Sequence, residues 1–274
     1  MKRFIWPAAA LTVILLMIFL QASASQDPAS GWEETFFKAN QAYKERRFKA
    51  AIDGYEQITR SGPANGHIYY NLGNAYFKED QLGRTILNYE RALFLMPRDA
   101  DLNYNLRYAR DQIKDDIPVS KSLMSTTLFW LDSLRPGEIF WAFAILNVMF
   151  SLTLMLRLFY RSDGIYYLII ILLIFWLITG GSLGLKWYQI NTGTRVVILD
   201  KEVSALAGPD SKDTVLFKLH EGAIVNQERS EDGWFLINLP DEKRGWVKAG
   251  SVESINRDQV LNTRNVIKRE IDDG

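Results

Sequence analysis

Two apolar runs without a charged residue, Ile139 to Leu156 and Ile165 to Leu185, are separated only by the short stretch Arg157 to Gly164. As helices rising 1.5 Å per residue, the first spans about 27 Å and the second slightly more, enough to cross a hydrocarbon core of about 30 Å. A buried helix of a soluble core carries polar residues along one face, whereas Asn147, Ser151 and Thr153 are the only strongly polar members of the first run. Trp141, Tyr160, Tyr166, Tyr167, Trp187 and Tyr188 sit near the run ends, where amphipathic rings prefer the headgroup region. The pattern predicts a transmembrane hairpin with helices over 137–157 and 165–186. The rest of the chain must then hang on one side of it or the other.

A length of 274 residues leaves room for one compact module on each side of the hairpin. Acidic and basic residues balance at zero formal charge, which argues against a nucleic-acid binder, since no large excess of Lys and Arg is available to neutralise phosphates. There is no cysteine, so thiol catalysis, disulfides, cysteine-ligated zinc and a lipoprotein anchor are all excluded. His67 and His220 are the only histidines and fall in separate modules, which makes a histidine metal site within one chain improbable. No metal and no other cofactor is implied. Glycine-rich phosphate loops, zinc-protease helices and nucleophile elbows do not occur. Asp115-Asp116 reads most simply as a helix end running into a loop, without an acid or base role.

Met1-Lys-Arg3 is a basic start, Phe4 to Leu20 is apolar, and Ala22-Ser23-Ala24 offers the small residues a signal peptidase requires. Residues 1–24 therefore read as a signal peptide, with an uncleaved anchor as the alternative. Either way the segment that follows is exported, and Arg157 and Arg161 in the inter-helix loop fall on the cytoplasmic side, as the positive-inside tendency expects. Both soluble modules are then expected in the periplasm of a multi-pass inner-membrane protein.

From Trp32 the chain repeats at a spacing of 34 residues: Asn40 and Asn74, Lys44 and Lys78, Tyr55 and Tyr89, Pro63 and Pro97. That period marks helix-turn-helix repeats. Small residues stand where helices must approach closely, at Ala39 and Gly73 and at Ala51, with Thr85 in the second unit's place. The wording YYNLGNAYFKEDQLGRTILNYERALFLMP, from Tyr69 to Pro97, closely resembles a tetratricopeptide repeat. The resemblance extends over 32–114, and a third leading helix is expected from about Asp99 to Lys114.

Resemblance to that family implies an all-α solenoid with a peptide-binding groove formed by the leading helices. The groove positions it implies are Phe36, Asn40, Tyr43 and Lys44, then Tyr70, Asn74, Phe77 and Lys78, then Tyr104 and Tyr108. An amide carries both a donor and an acceptor, so exposed Asn40 and Asn74 would hold the backbone of an extended peptide. Relatives that clamp a peptide carboxylate add basic residues at neighbouring places. Phe36, Tyr104 and Tyr108 occupy those places here, which favours an internal or apolar peptide. The competing reading is that the asparagines are merely solvated and the aromatics pack the array.

Residues 115–136 form a connector between Pro118 and Pro136 with scattered Leu and Trp, which fits either an interfacial helix or a segment packed against the repeats. After Trp187 the language changes to short alternating stretches broken by Gly, Pro and Asp, which predicts a small all-β barrel over 192–255. The order Gly-Pro, Glu-Gly, Asp-Gly-Trp and Gly-Trp-Val resembles the bacterial Src-homology-3-like (SH3-like) domain. Gly222 and Gly233 suit turns with positive φ. Trp234 is expected in the core, with a shallow ligand groove as the alternative. Residues 256–274 form a charged tail.

Export signal, tetratricopeptide array, two membrane helices and an SH3-like barrel, in that order, resemble the BatE proteins of bacterial aerotolerance operons. The resemblance implies a non-enzymatic scaffold that assembles an envelope complex linked to oxidative-stress tolerance. It also implies partners among the von Willebrand A-type membrane proteins of the same operon. The alternative is a module that binds or senses cell wall (peptidoglycan) through the barrel.

Overall fold

The helix boundaries keep the register of the sequence. The computed structural model of the chain describes residues 31–61, 65–117, 129–192 and 195–256; the expected signal peptide, and the expected charged tail beyond Asn256, lie outside them. Among the described residues five helices come first: α1 (Trp32–Lys44), α2 (Phe48–Ser61), α3 (Gly66–Lys78), α4 (Leu82–Leu95) and α5 (Ala100–Arg110). Trp32, Gly66 and Ala100 open equivalent helices at intervals of 34 residues. Even the turns repeat, because Arg46 and Asp80 both take left-handed backbone, with φ of 60° and 56°. Beyond each of them an amide reaches back to the helix end, Arg47 N–H to Ala42 O (2.8 Å) and Gln81 N–H to Tyr76 O (3.1 Å), satisfying carbonyls that the helix leaves open. Asn65 caps α3 by accepting from His67 N–H, and Asp99 caps α5 by accepting from Leu102 N–H, both at 2.9 Å. The third leading helix stops at Arg110, short of the expected Lys114. The small residues work as anticipated: a Cβ on Gly73 would lie 2.5 Å from the Tyr89 ring.

A short helix α6 (Phe129–Ser133) precedes α7 (Pro136–Phe159) and α8 (Asp163–Thr192). The last two are long and apolar enough to cross a membrane. They turn their apolar side chains outward, with Leu152 58% and Leu158 70% exposed, a surface unsuited to water. Between them Phe143 and Phe150 pack on Trp176, ring centres 5.6 and 6.4 Å apart, and Gly180 leaves room for the Phe143 ring. Both helices outrun their apolar cores. α8 continues to Thr192, since nothing in Lys186-Trp-Tyr-Gln189 breaks a helix. Lys186 is buried there and donates to the Leu131 carbonyl of α6 (2.6 Å), while Trp130 Nε1 donates to Ser182 Oγ (3.1 Å). The end of the connector is thus pinned to the hairpin; its middle, 118–128, lies outside the described residues. An ion pair from Arg98 to Glu138 ties the helical array to the start of α7.

The final part is an antiparallel sheet of β1 (Arg195–Ile198), β2 (Glu202–Leu206), β3 (Val215–His220), β4 (Ile224–Glu231), β5 (Trp234–Asn238), β6 (Arg244–Lys248) and β7 (Val252–Ser254). Their order is β3-β2-β6-β5-β4-β1-β7. Edge strands β3 and β7 do not pair with each other, so the expected closed barrel is instead an open sheet. All seven strands nevertheless contribute to one core, including Ile198, Ala205, Leu219, Val225, Ile237, Val247 and Val252, which requires the sheet to curl around it. Gly222 and Gly233 have φ of 87° and 76°, the conformation expected of them.

The two soluble parts dock on each other. Along β1, Val196 and Ile198 face the sheet core while Val197 is buried among helical residues such as Ile86 and Leu102. Leu199, Ile224 and Ile255 join the same helical cluster, and Ile117 reaches the other way into the sheet core. The sheet thereby covers the apolar end of the helical array, a service that repeat arrays otherwise obtain from a polar terminal helix.

Candidate functional site

The faces of α1, α3 and α5 bring the predicted asparagines into a repeated hydrogen-bond network. Asn40 Oδ1 accepts from Tyr55 Oη (2.6 Å) and from Asn71 Nδ2 (3.1 Å). One repeat later Asn74 Oδ1 accepts from Tyr89 Oη (2.6 Å) and Asn105 Nδ2 (3.4 Å). Burial is the main reason the Tyr55 phenol is pushed up to about 12 and the Tyr89 phenol is raised as well, so both remain protonated donors at neutral pH. The amide carbonyls are committed to the fold. Asn40 Nδ2 has no partner among the described residues, while the Asn74 side chain also hydrogen-bonds the Tyr70 hydroxyl and keeps one N–H of its –NH2 group for another partner.

This corrects two expectations. The asparagines are half-buried rather than exposed, and each offers a visiting peptide a donor rather than a donor and an acceptor. The fixed carbonyl determines where the –NH2 group points, so the network orients the donors in advance. Asn71 and Asn105 were missed as contributors, although they recur at the same 34-residue spacing. A pocket of about 160 Å³ is lined by Asn40, Tyr43, Lys44, Tyr55, Asn71 and Asn74, joining four predicted residues to two unforeseen ones.

The remaining predicted residues divide by exposure. Phe36 packs inward, its ring 6.0 Å from that of Tyr55. Tyr70 lies against Tyr89 at 5.9 Å and accepts from Asn105 Nδ2 (2.9 Å), so it is largely structural. Tyr104 and Tyr108 are 65% and 54% exposed, and Tyr108 meets Phe77 edge-on at 5.9 Å. Lys44 and Lys78 are exposed. The open part of this face therefore combines two aimed amide donors, two lysines and a tyrosine-rich end on α5.

On the sheet, Trp234 is half-buried outside the core cluster, with Lys248 Nζ 5.8 Å from its ring centre. The core position expected for it is taken by its neighbour Phe235. Sequence reading also assigned Asp115 no role. It accepts from His220 N–H (2.6 Å) and pairs with His220 Nδ1 (2.8 Å), latching the end of the helical array to β3. No protein-family description matches the chain, and no curated protein matches it significantly.

Proposed function

We propose that the chain is a non-enzymatic scaffold of the bacterial inner membrane, built from tetratricopeptide repeats and an SH3-like module held together on the periplasmic face by the helical hairpin. Its partner is a protein segment that lies across α1, α3 and α5. The reading is carried by the paired Nδ2 groups of Asn40 and Asn74, each aimed by a tyrosine hydroxyl and a second asparagine. Such donors suit backbone carbonyls of an extended peptide, and Tyr104, Tyr108 and Phe77 suit apolar side chains beside them. Order of modules and resemblance to the BatE proteins favour von Willebrand A-type membrane proteins as partners and a role in aerotolerance.

The direct test exploits the committed carbonyls. Asn40→Asp with Asn74→Asp keeps both acceptors for the tyrosines and removes both donors. Each hydrogen bond lost is worth about 0.5–1.5 kcal/mol net, more where the partner's carbonyl stays buried. At 1.4 kcal/mol per factor of ten, partner affinity should fall roughly fivefold to a little over a hundredfold. Affinity purification from mildly solubilised membranes reads this, with circular dichroism showing the helices intact. Unchanged recovery of partners would remove the groove from the mechanism. If Trp234→Ala instead abolishes binding to isolated cell wall, the sheet is the recognition module, as its half-exposed indole allows.

Sidedness is tested separately. α7 and α8 form an antiparallel pair joined by Tyr160 to Ser162, so both soluble parts leave the hairpin at the end opposite that loop. In this cysteine-free chain, Ser162→Cys should stay unlabelled by an impermeant thiol reagent in intact spheroplasts, while Ser211→Cys should react. The reverse result puts both modules in the cytoplasm.

A further inference from the structure

On the other side of the helical layer, α2 and α4 flank a crevice of about 510 Å³, a size common among small-ligand sites. Its floor comes from α3. Two arginines of α4 lie over tyrosines of that floor, Arg84 5.7 Å from the Tyr76 ring centre and Arg91 5.9 Å from that of Tyr69. The ring contacts hold the guanidinium groups in place, and Arg84 also hydrogen-bonds the Tyr76 hydroxyl, which leaves the rest of its five N–H donors to other partners.

The lining charges are unevenly matched. Arg60 pairs with Glu56 (2.6 Å), and Arg91 pairs with Glu253 (2.9 Å) while also donating to the Ser254 carbonyl (2.6 Å). Arg84 has no carboxylate partner among the described residues, which leaves the crevice with one unmatched positive charge. One turn further along α4, Asn88 is 3% exposed and spends its Nδ2 on the Arg84 carbonyl (2.8 Å). Its Oδ1 has no hydrogen-bond partner among the described residues. An acceptor left unmatched in such a wall favours a visitor that brings a donor.

We propose that this crevice binds the free carboxy-terminal end of a peptide. The terminal carboxylate pairs with Arg84, the N–H of the last residue serves Asn88 Oδ1, and Ile52, Leu72 and Leu87 receive an apolar last side chain. Carboxylate and N–H share one Cα in such a ligand, and Arg84 and Asn88 lie one helical turn apart. With Glu56 and Glu253 already paired to Arg60 and Arg91, the crevice offers a single net positive charge, which matches one carboxylate better than a phosphate dianion or an acidic last residue. This site is separate from the Asn40–Asn74 face and uses none of its residues.

The test uses the full chain in detergent and two fluorescein-labelled probes, Gly-Gly-Ser-Ala-Leu with a free carboxylate and the same peptide as its carboxamide. The free acid should bind saturably and the carboxamide at least tenfold more weakly, a comparison that needs no variant to fold. Arg84→Gln should erase the difference between the two probes. Asn88→Leu should weaken the free acid without lowering the thermal midpoint, because it removes an unmatched acceptor. Equal binding of acid and carboxamide, no saturable binding, or acid binding untouched by Arg84→Gln overturns the proposal. Loss in the Asn40→Asp, Asn74→Asp variant with Arg84→Gln unaffected overturns it too, by moving the peptide to the opposite face.

Discussion

Gly83→Ala is expected to destabilise the chain and part the sheet from the helices, although alanine is the better helix former by about 1 kcal/mol. Gly83 sits in the first turn of α4, directly beneath the end of β1. A Cβ there would stand 2.5 Å from the Ile198 carbonyl oxygen and 3.0 Å from Leu199 Cα. Those are backbone atoms and cannot swing aside. Overpacking costs roughly 1–3 kcal/mol even where side chains can give, so the loss should exceed the gain in helix propensity. Hydrogen exchange is the measurement. Amides of β1 and of the turn at Gly222, whose N–H donates to Ile198 O (2.8 Å), should lose protection while those of α1 and α2 keep theirs. A stabilised protein with unchanged exchange would mean that the docked surfaces give way freely.

The larger effect is expected at Glu90. Its carboxylate is 1% exposed and pairs with Arg110 of α5 and with Arg195 of β1 (3.2 Å). One acidic group thus joins the last repeat helix to the sheet. Changing both arginines to methionine leaves that charge buried without a partner, which costs about 3–5 kcal/mol. Glu90→Gln should cost far less, because Arg110 and Arg195 are 38% and 51% exposed and can turn to water. Adding Glu90→Met to the double arginine variant should recover most of the loss, since the charge disappears with its partners. Thermal melting of the full chain in detergent ranks the three variants. Equal melting of the double and triple variants would show that the carboxylate had found water.

These two sites bear on function because they make the helices and the sheet one body. Removing the sheet to test its role would strip Val197 and Ile224 from the helical cluster. Point changes at Trp234, Asn40 and Asn74 avoid that damage.

Much of the candidate face was legible in the residues. Asn40 and Asn74 stood out because the repeat placed them alike, and Asn71 with Asn105 carried the same signal unread. What their amides do was not legible. An asparagine reads the same whether its carbonyl meets water or a tyrosine hydroxyl fifteen residues away, and only the packing of α1 on α2 and of α3 on α4 decides. Trp234 and Phe235 illustrate the same limit in a strand, where neighbours point to opposite faces and alternation alone does not say which face is inside.

The sequence by itself determined the local elements: two apolar runs of membrane length, a 34-residue helical period with its turns, and short strands broken by glycine. Each follows from interactions within a few residues, in helix periodicity, turn conformation and the length of uninterrupted apolar chain. The run Val196-Val197-Ile198-Leu199 does not alternate, a departure that reading the region as short alternating strands passed over. Tertiary structure alone decided what covers the second face. It set the α4 helix against β1 through Gly83, bound Asp115 to His220, and left the sheet open between β3 and β7. The first two outcomes depend on surfaces brought together from more than a hundred residues apart, as Glu90 and Arg195 are, and complementarity between such surfaces leaves no periodic trace in the chain.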